Sequence, residues 1–201
     1  MGLDAYIVFD DNTNSGLQAL NIIAGWLGKE IPVALRLREE HVQPLSGKLQ
    51  SELLSKPLFI VFSVATEGAA ERLQDYLVLH CEMARESVRC DASRVLRAQQ
   101  KTLSGPDSPF QHEKRVELRK FLVEVGKAIF ISEGKSETVA ESRALGGNGA
   151  EAMVVFPYNC PTMTIPALWL SGRYGNTRWI PLVERGRRTH PKTGDLSGED
   201  A

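Results

Sequence analysis

Short apolar runs separated by polar stretches set the order of elements along this chain. Tyr6-Ile7-Val8-Phe9 is continuous, β-branched and aromatic, which predicts a fully buried parallel strand. The polar stretch Asp10–Gly16 follows. Leu17, Leu20, Ala24 and Leu27 then recur at spacings of three and four, predicting a helix closed by Gly28. Leu58–Ala65 is the most apolar segment and predicts a second strand. Thr66 and Glu67 lead into a predicted helix over Ala69–His80, with Leu73 and Leu77 on its buried face. Strands alternating with helices point to an α/β protein with a mostly parallel sheet covered by helices on both faces.

Elsewhere the pattern is weaker. Ile31–Leu37 fits either a strand or an irregular connection. Residues 85–120, rich in Arg, Lys and Gln, read as a surface helix, a loop at Ser104–Pro109, and an amphipathic helix near Glu113–Val125. Val116, Leu118, Phe121 and Leu122 are the apolar positions of that helix. Ala128–Ser132 and Met153–Phe156 are further strand candidates, the first also compatible with a long helix. Residues 1–185 read as one domain. Residues 186–201, rich in Gly, Ser and Asp without apolar periodicity, read as a disordered tail.

Composition narrows the function classes. Lys and Arg number 24 against 25 Asp and Glu, so no global field favours DNA or acidic lipid. The longest apolar run is too short to cross a bilayer. Met1–Asp4 carries no basic leader, and the odd set Cys81, Cys90 and Cys160 has no CxxC spacing. Reduced, mostly buried thiols and a cytoplasmic location are expected.

The chemistry is concentrated in Phe9-Asp10-Asp11-Asn12-Thr13-Asn14-Ser15-Gly16. A turn from the carboxyl end of a strand into a helix is where open α/β sheets place ligands. Unpaired N–H groups at a helix N-terminus bind phosphate. Gly16 is expected to let the backbone approach the ligand, while Asn12, Thr13, Asn14 and Ser15 supply polar donors. Asp10 and Asp11 suit ribose hydroxyls or a phosphate-bound Mg²⁺. The bland reading is an acidic strand end with Asn14 or Ser15 capping the helix. The pattern resembles the loop of type I phosphoribosyltransferases, which bind phosphoribosyl pyrophosphate (PRPP). That resemblance gives Asp10 and Asp11 the ribose hydroxyls and Thr13–Gly16 the 5-phosphate. Asn14 and Gln18 stand where that pattern usually has Thr or Ser, which implies weaker phosphate binding.

A second segment runs from Val154 to Trp169 and carries Asn159, Pro161, Thr164, Pro166 and Trp169, followed by Trp179, Pro181 and Leu182. On its own it reads equally as a Trp-anchored lid sealing one end of the sheet. Together with the first loop, it resembles the phosphoribosyltransferase-like proteins of bacterial conflict and anti-phage systems, some of them encoded beside retrons. The resemblance implies a Rossmann-like sheet of the type I phosphoribosyltransferase kind, a PRPP-like ribose-phosphate ligand and a defence role alongside a protein partner. Nucleotide salvage and a non-catalytic scaffold are the alternatives. The loop-bearing strand stands first in this chain, so the pyrophosphate loop and substrate hood of such enzymes are expected to be absent upstream. The sheet edge then left open would need a partner.

Other features carry less. His41, His80, His112 and His190 have no metal-ligand spacing, and nothing in the sequence brings His80 to Cys160. Lys114, Arg115, Arg119 and Lys120 fit the solvated face of a helix. Gly146–Gly149 precedes a strand candidate and reads as a turn.

Overall fold

The computed structural model describes residues 4–37, 42–156 and 160–183. His41, Asn159, His190 and the tail 186–201 lie outside these. Strands β1 (Tyr6–Thr13), β2 (Leu58–Thr66) and β3 (Val88–Leu96) form a parallel sheet in the order β1-β2-β3. Helix α1 (Leu17–Trp26), a single 3₁₀ turn at Val33–Leu35 and helix α2 (Gly47–Ser55) connect the first two strands. Helix α3 (Ala69–Cys81) connects the second to the third. The fold is Rossmann-like α/β, and Ile31–Leu37 is the irregular connection.

One face of the sheet is packed and the other is open. Leu58, Ile60 and Phe62 of β2 are fully buried against Leu20 and Ile23 of α1 and Leu73 and Leu77 of α3. Each such side chain contributes roughly 1.5–3 kcal/mol. The alternate residues point away: Ile7 is 60% exposed and Phe9 75%, with Phe59 and Val95 also exposed. The expected two-sided burial of Tyr6–Phe9 is therefore corrected. Right-handed crossovers that advance in one direction across a sheet leave both connecting helices on the same face.

Two more expectations change here. The segment read as a surface helix after residue 85 contains β3, an edge strand whose outward positions are Arg89, Asp91 and Ser93. Such charges protect an open edge. Met153–Phe156 is not an extended strand; Ala152 forms an isolated parallel bridge with Thr164, and Phe156 is also a bridge residue. Ala128–Ser132 belongs to a long helix, α4 (His112–Ser132).

The remaining chain forms a cap. Helix α4, helix α5 (Glu137–Arg143) and the hairpin β4 (Gly172–Tyr174) and β5 (Thr177–Trp179) surround Val125, Ile129 and Ile165. Phe121 meets Tyr174 edge-on with ring centroids 6.0 Å apart. A small cluster of Val64, Ala152 and Met163 fixes this cap to the carboxyl ends of the strands. Arg119 lies on α4 but is not simply solvated, since its guanidinium pairs with buried Glu151 at 2.9 Å.

Candidate functional site

Strand β1 continues through the acidic pair to Thr13, so Asp10 and Asp11 lie inside the strand and not in the turn. Asp10 is level with Phe62 of β2. Its Oδ1 accepts from Asp11 N at 2.7 Å, and Asp11 Oδ1 accepts from Asn12 Nδ2 at 2.6 Å. The turn itself is tied from within. Thr13 is buried, and its hydroxyl oxygen accepts the Gly16 N–H at 3.0 Å. Ser15 Oγ receives the Leu17 N–H at 3.4 Å. The helix then starts from Gly16 in the left-handed region, φ 79° and ψ −8°, without a side-chain cap.

Gly16 has a second constraint. A Cβ at this position would lie 2.8 Å from Leu73 Cβ and 3.2 Å from Leu73 Cα. The close approach that glycine permits is therefore to α3, whereas the sequence pointed to a ligand. Packing of α1 on α3 fixes where the helix N-terminus sits.

Asn14 ties three parts of the molecule together. Its carbonyl accepts from Thr66 Oγ1 at 2.7 Å, at the end of the second strand, and from Arg72 Nη2 at 3.2 Å, on the helix after it. Its side-chain Nδ2 donates to the Gly147 carbonyl at 2.7 Å. Gly147 N in turn donates to the Thr162 carbonyl at 2.7 Å. The glycine run forms a single 3₁₀ turn at Gly147–Gly149, although the strand expected after it is absent, and it joins the first loop to the late segment. Asn148 within it adopts a left-handed conformation, φ 55°, which Asn tolerates better than most residues.

These ties enclose a cavity of about 560 Å³, within the range of small-molecule sites. Asn12 to Gly16 form one wall; Arg143, Asn148, Thr162 and Trp169 complete it. Among the described residues its lining carries one cation, Arg143, and no carboxylate. Arg143 closes α5, where a cation also suits the helix dipole. The N-terminus of α1 adds partial positive charge from the other side. A phosphate-sized anion fits this polarity.

The late segment divides by role. Thr162 and Trp169 reach the cavity, and Trp169 Nε1 donates to the Thr164 carbonyl at 3.1 Å. Thr164 is fully buried, its hydroxyl donating to the Val154 carbonyl at 2.5 Å, and Pro161 is buried as well. Trp179 Nε1 anchors on the Ala167 carbonyl at 2.8 Å. Thr164, Pro161 and Trp179 thus hold the segment in place. Asp10 and Asp11 are not among the residues walling this cavity.

Sequence reading missed Arg143, Thr162 and Asn148. Arg143 and Asn148 follow Asn14 by well over a hundred positions, and only the tertiary path through Gly147 brings them to it. His80 packs on Tyr76 near the end of α3, whereas Cys160 Sγ points to the Val154 carbonyl at 3.8 Å. No group of three or more metal-ligating side chains occurs among the described residues. No helix among them is long and apolar enough to cross a membrane.

No curated protein and no solved structure matches the chain. A family model described as PRTase-CE matches residues 2–185.

Proposed function

Since the chain belongs to the PRTase-CE family, a phosphoribosyltransferase-like family, we propose that it binds PRPP or another ribose 5-phosphate in the cavity beside the Asn12–Gly16 turn. One observation carries this reading. The turn, Thr162 and Trp169 of the late segment, and the cation Arg143 all wall a single cavity that has no carboxylate among its described lining. The 5-phosphate sits at the N-terminus of α1, with Arg143 opposite and Ser15 as a hydroxyl donor. The pentose lies toward Asn12 and Trp169.

If the protein transfers a phosphoribosyl group, a nucleophilic acceptor bonds to the anomeric carbon of the ribose as the bond to pyrophosphate breaks. Asp10 and Asp11, next in sequence to the lining residue Asn12, steady the oxocarbenium-like ribosyl centre. Mg²⁺ in this reading arrives on the ligand's phosphates, because two adjacent carboxylates supply only part of an octahedral shell. The supported biological role is that of an effector or accessory protein in a cytoplasmic anti-phage system, acting with a protein partner. The order and spacing of Pro161, Thr164, Pro166, Trp169, Trp179 and Pro181 support that role.

A second reading is binding without catalysis, favoured by the position of Asp10 and Asp11 within β1 and away from the cavity lining. Calorimetric titration with PRPP and Mg²⁺ separates the two. Arg143→Gln weakens binding in both readings. Asp10→Asn/Asp11→Asn weakens it only if the carboxylates hold the ribose. A folded wild-type chain that binds neither PRPP nor ribose 5-phosphate overturns both.

A further inference from the structure

On the other side of Asn14 and Asn148 lies a larger cavity, of about 770 Å³, at the carboxyl ends of β2 and β3. Register creates it. Asn12, Val64 and Arg94 are level across the three strands, and Thr66 is level with Leu96. Strand spacing of about 4.8 Å puts the Asn12 and Arg94 backbones roughly 10 Å apart. The first of these residues faces the ribose-phosphate cavity, the last the second cavity.

The charge of this second cavity is positive on balance. Arg72, Arg94, Arg97 and Lys101 line it against two carboxylates, Glu67 and Asp107. Glu67 Oε2 is already engaged by the Ala98 N–H at 3.3 Å. Arg94, Arg97 and Lys101 form no ion pair among the described residues. Arg72 is held in place by two backbone carbonyls, those of Glu67 at 3.3 Å and Asn14 at 3.2 Å. Its guanidinium is therefore oriented before any ligand arrives, which lowers the entropic cost of binding.

Apolar residues line the cavity beside these cations. Val64, Leu96, Ala152 and Val154 belong to the small cluster under the cap, while Met153 and Val155 remain 55% and 46% exposed at the cavity. Cations and apolar side chains in one lining suit a ligand with an anionic group on a flat, weakly polar ring. We propose that this cavity binds a nucleotide-class anion, its phosphate on Arg94, Arg97 and Lys101 and its base against Met153 and Val154. The site rests on its own residues and stands whether or not the neighbouring cavity holds a ribose phosphate.

Fluorescence titration of the full chain with trinitrophenyl-AMP, with AMP and adenosine as competitors, tests this. Saturable binding is expected, displaced by AMP and far less by adenosine. Arg94→Gln/Arg97→Gln should weaken it by about tenfold or more, and Lys101→Gln by a smaller factor. Both arginines are exposed, so thermal unfolding of the variant should match wild type. Arg143→Gln should leave it unchanged within about twofold, in contrast to its effect on PRPP. The proposal is overturned by absent binding in folded wild type, by adenosine competing as well as AMP, or by unchanged affinity in the double variant. It is equally overturned if Arg143→Gln weakens the probe as much, or if an oligothymidylate binds more tightly than AMP.

Discussion

The turns that follow β1 and β2 share one plan and border unlike cavities. Each strand ends in a threonine, Thr13 and Thr66, and each helix starts from a left-handed glycine without a side-chain cap. Gly16 has φ 79° and Gly68 φ 71°. The surroundings then diverge. Gly16 is pressed against the Leu73 backbone, whereas a Cβ at Gly68 would meet only the tip of Arg72, 2.9 Å from Nη1. The first turn contains no charged residue; the second has Glu67, with Arg72 just beyond. Backbone geometry therefore sets where a helix N-terminus points, and neighbouring side chains decide what it tolerates and which ligand it suits.

The sharpest way to break this comparison is to put alanine at both glycines. Gly16→Ala should cost about 3 kcal/mol or more, since strain at positive φ adds to a clash with backbone that cannot move. Gly68→Ala should cost about 1 kcal/mol, because the arginine tip swings away. Urea unfolding of the two variants measures the difference, and equal losses would remove packing on α3 as the distinguishing factor.

A smaller effect is expected from Gly147→Ala. The new Cβ would stand 2.8 Å from Asn14 Nδ2, so the asparagine must shift and lose its bond to the Gly147 carbonyl. PRPP affinity should fall by about tenfold, with a modest change in melting temperature. Thr66→Val removes the hydroxyl donor to the Asn14 carbonyl while Arg72 remains, and should cost about 1 kcal/mol by urea unfolding.

A last test serves as a control on the packed layer itself. Burial pushes the Cys81 thiol up to about 11 and the Cys90 thiol to about 12. Both thiols are protonated at pH 8, and thiolate is the reactive form. Reaction with Ellman's reagent at pH 8 should therefore be slow in the native chain and fast in urea. Above pH 9 the unfolded chain loses these protons first, so stability should decline as pH rises toward 11.

Much of this fold was legible because period and packing agreed. Leu58–Ala65 is apolar throughout and occupies the central strand; Leu73 and Leu77 recur at helical spacing and bury completely. β3 was missed although Val88, Cys90 and Ala92 alternate with Arg89, Asp91 and Ser93 at the period of a half-buried strand, because a charged edge strand resembles a surface helix in composition. The exposure of Ile7 and Phe9 was equally hidden. A local run shows that both faces are apolar, whereas only strand order shows that both helices lie on one side. In the candidate site, the Asn12–Gly16 turn announced itself by chemistry that is contiguous in sequence. Arg143 did not, since nothing local distinguishes it from the other arginines on exposed helical faces. The basic cavity escaped for the same reason, its cations being drawn from α3, β3 and the loop beyond it.

Asn14 has little freedom: its carbonyl accepts two bonds and its amide holds the Gly147 turn. It stands in the wall between the two cavities. Any ligand that draws this residue to one side changes the shape offered on the other. Linkage then requires reciprocity: the factor by which a first ligand alters the affinity for a second equals the factor in the reverse order. Two ligands titrated in either sequence must close the same thermodynamic cycle, with Asn14 and Asn148, which line both cavities, as the hinge of the coupling.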